Sequence, residues 1–145
     1  MIRRATRSDL DAIVDLAVES VSINPIPVKN DRAAMRETAD QCLQPAHFLM
    51  VSEIDGVVVG AVAACVQPSF WYDKLQCSVL LHYSRHPGQW VRLMMEFSKW
   101  VKSRSGIKVA IIELEPESDP RMISFLSRIG FDRVSTNVCY VRKPS

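Results

Sequence analysis

The stretch LQCSVLLHYSRHPGQWVRLMMEFSKWVKS, residues 75–103, decides the fold. Residues 75–83 are mostly apolar or aromatic and read as a strand. Pro87 and Gly88 interrupt the run. Over residues 89–103, Val91, Leu93, Met94, Phe97, Trp100 and Val101 recur at helical spacing and define one buried side. Ser105-Gly106 ends that helix, and residues 109–114 form a second apolar strand ending in Glu-Leu. Two strands joined by one helix must pair parallel through a crossover. The expected neighbours are 75–83 and 108–114, diverging after Leu80 and after Ile112.

The turn between strand and helix has chemical potential of its own. A strand that runs straight into a helix leaves the first helical N–H groups unpaired. Those donors and the helix dipole suit a diphosphate. Gly88 lets a ligand approach the backbone closely, and Arg85 offers a charge-assisted hydrogen bond. The same Pro87-Gly88 pair also makes a plain strand-to-helix turn.

The rest of the chain extends this pattern in both directions. Residues 2–6 read as a strand, and Ser8 caps a helix over 9–20 with Asp9 and Asp11 in its first turn. Residues 22–29 hold Asn24-Pro25 and Pro27 and read as a loop; 31–43 read as a second helix. Residues 48–53 form a strand, Asp55-Gly56 turns it, and 57–66 return as a strand apolar on both faces, hence central. A loop over 67–72 carries Phe70, Trp71 and Tyr72, which either wall a pocket or cover a core edge. Pro120 opens a last helix, capped by Ser118 or Asp119 and closed by Gly130. Residues 131–135 and 138–142 read as two final strands. The result is an α/β domain spanning 1–145, with a mixed central sheet of about seven strands flanked by about four helices.

Composition narrows the function. The 145 residues are 48% hydrophobic and 23% charged, ordinary for a globular domain. A net charge of +2 is too small a bias to indicate nucleic acid or an acidic membrane. The longest apolar run, 57–66, is too short for a bilayer, and the charged N-terminus lacks a signal-peptide core. The four cysteines, Cys42, Cys65, Cys77 and Cys139, form no CxxC pair and no metal-binding spacing. They read as free thiols, which points to the cytoplasm.

The element order, with Arg85-His86-Pro87-Gly88-Gln89-Trp90 after a strand and the ending Phe125-Leu126-Ser127-Arg128-Ile129-Gly130-Phe131, resembles the GNAT N-acetyltransferases over essentially the whole chain. The first segment matches the family's Arg/Gln-x-x-Gly-x-Gly/Ala motif, and the second its aromatic-Tyr-x-x-Gly-Phe ending. Three departures stand out. Trp90 replaces a small residue, Pro87 removes an N–H donor, and Leu126 falls where the family often carries the tyrosine that protonates the leaving thiolate.

The resemblance implies acetyl-CoA, or CoA, as cofactor. The main chain of Val79, Leu80 and Leu81 would pair with the pantetheine, and Arg85, His86, Gly88, Gln89 and Trp90 would surround the diphosphate. Asp119 stands where the family often has an asparagine at the cofactor. Acid–base work falls to His82, Tyr83, Glu113 and Glu115 at the ends of the two diverging strands. His82 has a free pKa suited to a general base. Glu113 and Glu115 share one strand face opposite Leu114 and are placed to take a proton from an incoming ammonium. Each of these residues also fits a plain strand end.

Three functions are compatible with these residues. The first is an N-acetyltransferase acting on a primary amine of a small molecule or peptide, as monomer or homodimer. The second is a catalytically degenerate GNAT-like binding or structural protein, similar to phage-encoded ones. The third is an acyl-CoA-binding regulatory module without turnover.

Overall fold

Between residues 57 and 66 every position but Gly60 carries an apolar side chain, so this strand needs cover on both faces. The computed structural model, which describes residues 1–23, 25–115 and 117–143, puts it at the centre of the sheet. Asn24, in the expected loop, lies outside the described residues. The strands are β1 (Ile2–Arg4), β2 (Phe48–Ile54), β3 (Val57–Pro68), β4 (Leu75–Ser84) and β5 (Ile107–Ile111), lying side by side in that order. Pairing is antiparallel from β1 to β4 and parallel between β4 and β5. The parallel pair expected from the crossover helix is therefore present.

Helices α1 (Leu10–Ser22) and α2 (Arg32–Gln41) cover one face, packing Leu10, Ile13, Leu16 and Ala39 on Leu49, Val51, Ala61 and Ala63. Helices α3 (Pro87–Ser103) and α4 (Pro120–Arg128) cover the other, where Leu93, Met94, Phe97 and Leu126 meet Phe48, Val62, Ala64 and Cys77. Alternation along β3 thus sends Ala61 and Ala63 to one layer and Val62 and Ala64 to the other. Asp55 and Gly56 turn β2 into β3 with φ of 50° and 78°, the left-handed pair a tight hairpin requires. Asp9, buried at the start of α1, accepts from Arg3 on β1 at 2.7 and 2.9 Å and from the Thr6 N–H, tying the first strand to the first helix.

The sheet has five strands among the described residues, not seven. The segments 131–135 and 138–142, expected to be strands, join no ladder. Phe131 stacks on Phe97 at 5.9 Å, but Val134, Val138 and Tyr140 beyond it face solvent. Their β-branched and aromatic pattern describes a chain that fits a pleated surface, and strand propensity is realised only where neighbours supply one. β5 is also shorter than its apolar run, ending at Ile111 rather than Leu114.

Phe97 lies at the hub of the α3 layer, fully buried against the rings of Phe48, Trp100 and Phe131. Phe97→Ala should lower unfolding free energy by about 3–5 kcal/mol, measured by urea titration.

Candidate functional site

The ladder between β4 and β5 runs from Leu75 beside Ile107 to Ser78 beside Ile111 and then stops. The strands therefore part earlier than the expected points at Leu80 and Ile112. On its other edge β4 stays paired with β3 up to Ser84, but the register slips: Ala64 faces Val79 and Ala63 faces Leu81. Leu80 is the extra residue of a β-bulge and belongs to neither ladder. Its side chain is 49% exposed. The bulge also changes which residues face which layer. Before it, Cys77 and Val79 face α3 and α4; after it, Leu81 and Tyr83 face the α1 and α2 layer and His82 turns toward α3.

His82 bridges the gap where the strands part. Its Nε2 lies 2.8 Å from the Glu113 carbonyl oxygen, just past the end of β5. Its Nδ1 accepts the Trp90 indole N–H at 3.2 Å. An indole can only donate and a carbonyl can only accept, so the ring is the neutral tautomer with its proton on Nε2. Burial pushes the His82 pKa below its usual value, and the bond to the Glu113 carbonyl only partly opposes this. Trp90 is itself 8% exposed and packs on Phe125 at 5.7 Å. Its indole is turned inward, away from the start of α3.

The first turn of α3 is anchored to the sheet. Gly60 sits between Ser52 and Ser84 in the ladders, and a Cβ there would come within 2.8 Å of Ser84. The buried Ser52 hydroxyl donates to Gln89 Oε1 at 2.5 Å, so Gln89 also points inward. The Ser84 hydroxyl accepts the His86 N–H and donates to the His86 carbonyl. The N–H groups of Gln89 and Trp90 both reach the His86 carbonyl, and that of Arg85 reaches Val59. Pro87 has none. Gly88 stands clear: nothing lies within 4 Å of where its Cβ would be. The Arg85 guanidinium is held by both carboxylate oxygens of Glu19 on α1, at 2.9 to 3.1 Å. Asp119 caps α4 through the Arg121 N–H, and the Arg121 side chain holds its carboxyl below the usual range.

Glu113 and Glu115 are exposed on the chain leaving β5. Leu126 is 4% exposed, inside the α3–α4 core and facing no cleft. A tyrosine there would overpack the core, typically costing about 1–3 kcal/mol. Phe70, Trp71 and Tyr72 are 90%, 85% and 68% exposed, at the hairpin that leads into the N-terminal end of β4. The strands part toward the opposite end of β4, so these rings do not wall a pocket there. Cys42 and Cys77 are buried, with thiols pushed up to about 11 and about 12 by burial.

An acyl-CoA at this site would be held by the backbone more than by side chains. The edge of β4 beyond Ser78 has no ladder partner on the β5 side among the described residues, and Gly88 is open at the head of α3. The side chains of Arg85 and Asp119 are committed to neighbouring charges. Among the described residues, no group of three or more His, Cys, Asp or Glu could hold a metal ion, and no helix is long and apolar enough to cross a membrane.

No protein-family model matches the sequence, and no curated protein is similar to it. The fold, in contrast, has many counterparts. An aminoglycoside acetyltransferase from an uncultured soil metagenomic sample is 13% identical, with a TM-score of 0.69 over 100% of this chain and 96% of its own. A ribosomal-protein-alanine N-acetyltransferase from Brucella melitensis is 14% identical, with a TM-score of 0.68 over 99% and 98%. A transcriptional regulator from Bacillus halodurans is 16% identical, with a TM-score of 0.72 over 99% of both chains. Such likeness establishes the fold. The likeness to phage-encoded proteins finds no support among them.

The depressed pKa of His82 makes stability depend on pH. As pH falls through about 6.5, the unfolded histidine takes up a proton before the folded one does. Stability should therefore drop on acidification from pH 7.5 to 5.5, in part through this residue. Urea midpoints at the two pH values should differ less in His82→Asn than in the parent. An equal difference in both would remove His82 from the pH response.

Proposed function

From the GNAT fold of this chain, we propose that it is an N-acetyltransferase that moves an acetyl group from acetyl-CoA to a primary amine. The observation that carries this reading is the parting of β4 and β5 beside the bulge at Leu80, with Gly88 open at the head of α3. A parallel pair that opens in this way leaves a strand edge for a chain of amides to pair with, and a helix N-terminus for the phosphates at its end.

Bound acetyl-CoA supplies an activated thioester: the amine nitrogen bonds to the acetyl carbon, the C–S bond breaks, and the amine loses a proton. The chain's part is to hold and polarise. The Leu80 peptide, outside both ladders, is the group we assign to the thioester carbonyl. The base must come from groups with accessible lone pairs. Both ring nitrogens of His82 are engaged, and Tyr83 faces the other layer. That leaves Glu113, exposed on the chain just past β5, to accept the ammonium proton directly or through water. Leu126 gives the leaving thiolate no acid, so its proton comes from solvent. A thiol has a pKa near 8.5, which makes it a tolerable leaving group without help.

The acceptor is not set by the fold. One structural neighbour is an aminoglycoside acetyltransferase and another a ribosomal-protein-alanine N-acetyltransferase. We assign a soluble amine in the cytoplasm, reached from the side of Glu113, and a monomer or homodimer. A second reading, a binding protein without turnover, is favoured by the ion pair that withholds Arg85 and by the burial of Leu126.

Acetyl-CoA should raise the melting temperature, and thiol release should be detectable with at least one member of an amine panel, increasing with pH. Glu113→Gln should cut turnover by about 100-fold or more while leaving the melting temperature nearly unchanged, since its side chain is exposed. Stabilisation by CoA without turnover would select the binding reading. No stabilisation and no turnover would reject both uses of the cofactor.

Arg85→Ala should change CoA affinity less than twofold by calorimetry, because Glu19 already holds the guanidinium. A loss of tenfold or more, about 1.4 kcal/mol, would show that the ion pair opens to the phosphates.

A further inference from the structure

His82 crosses the gap that the cofactor needs. The bond from its Nε2 to the Glu113 carbonyl joins β4 to the chain leaving β5, beyond the last ladder pair at Ser78 and Ile111. A pantetheine that leaves the head of α3 at Gly88 and pairs with β4 at Leu80 has to pass between those two chains, where the imidazole stands. The indole of Trp90 lies over the ring from α3, and Phe125 backs the indole from α4. The chain past β5 and helix α3 thus meet on one side chain, with α4 behind the indole.

We propose, resting on the acetyl-CoA reading, that His82 is a latch closing the cofactor channel and that Trp90 is the positioning residue that sets it. The assignment of roles follows from donor and acceptor chemistry. The Trp90 N–H occupies Nδ1 and leaves Nε2 as the only place for the ring proton. That proton is what the Glu113 carbonyl accepts. Without the indole N–H the other tautomer becomes available, with Nε2 a lone pair facing a carbonyl oxygen, and the latch cannot hold. Opening exchanges one hydrogen bond for another: the Glu113 carbonyl gives up the imidazole N–H and becomes free to accept a pantetheine amide. The motif position that holds Trp90 thus acts on the channel through His82 and not through the phosphates.

Calorimetry of the full chain with CoA tests the latch. His82→Ala removes the obstruction and should bind CoA about two- to tenfold more tightly than the parent, the scale of one hydrogen bond no longer broken. Trp90→Phe keeps a ring in the core but deletes the donor, and should shift affinity in the same direction by less. A structural role alone would not move the spectroscopic signature. In the parent, nitrogen–proton correlation spectra should show His82 with its proton on Nε2; in Trp90→Phe the two tautomers should mix. Should His82→Ala fail to fold by circular dichroism, Trp90→Phe carries both readouts. Unchanged or weaker CoA binding in a folded His82→Ala, with the parent binding CoA, overturns the latch and leaves the cofactor reading standing. Binding to none of the three proteins overturns the cofactor reading, and the latch with it. A His82 ring protonated on Nδ1 in the parent overturns the role of Trp90.

Discussion

One extra residue in β4 governs the candidate site. Leu80 cannot be accommodated in the ladder with β3, so every side chain after it changes sides. His82 is delivered to the α3 layer and Tyr83 to the α1 layer, the reverse of simple alternation from Cys77 and Val79. β5 stops following β4 at Ser78, just before this slip. The orientation of the histidine and the unladdered peptide at Leu80 both stem from that slip.

Charge plays a smaller part than the motif implies. The arginine of the turn is spent on Glu19, and the aspartate before α4 on Arg121. What remains at the head of α3 is backbone and an open glycine, backed by polar contacts that face inward: Ser52 to Gln89, and Ser84 to His86. These contacts hold the turn against the sheet, and the position of Ser84 depends on the missing side chain at Gly60. The site is preorganised by hydrogen bonds within the protein, which favours geometry over affinity.

Much of the fold was legible because periodicity reports burial. The doubly apolar β3, the Asp55-Gly56 turn, the crossover α3 and the proline-started α4 each have a local signal, and each is present. The last two strands were not, since Val134, Val138 and Tyr140 announce strand propensity without a partner to realise it. At the site, the positions of Gly88, His82 and Glu113 followed from element ends, but their relations did not. A bulge leaves no mark in composition, so the facing of His82 was hidden. The inward turn of Trp90, the capture of Arg85 by Glu19 and the link from Gln89 to Ser52 join residues far apart in the chain, and only packing reveals them.

The three tryptophans occupy three different settings, and this gives the protein a built-in optical readout. Trp71 is almost wholly in water on the β3–β4 turn and will emit at long wavelength, open to quenching by dissolved iodide. Trp100 is wedged between Phe48 and Phe97 under the Arg104 guanidinium, where it will emit at shorter wavelength and resist the quencher. Trp90 donates its indole N–H to a neutral imidazole, so its emission will follow any change in that contact. With the turn residue replaced by a non-fluorescent one, changes in emission would report the surroundings of Trp90, and hence movements at the mouth of the sheet, without any attached label.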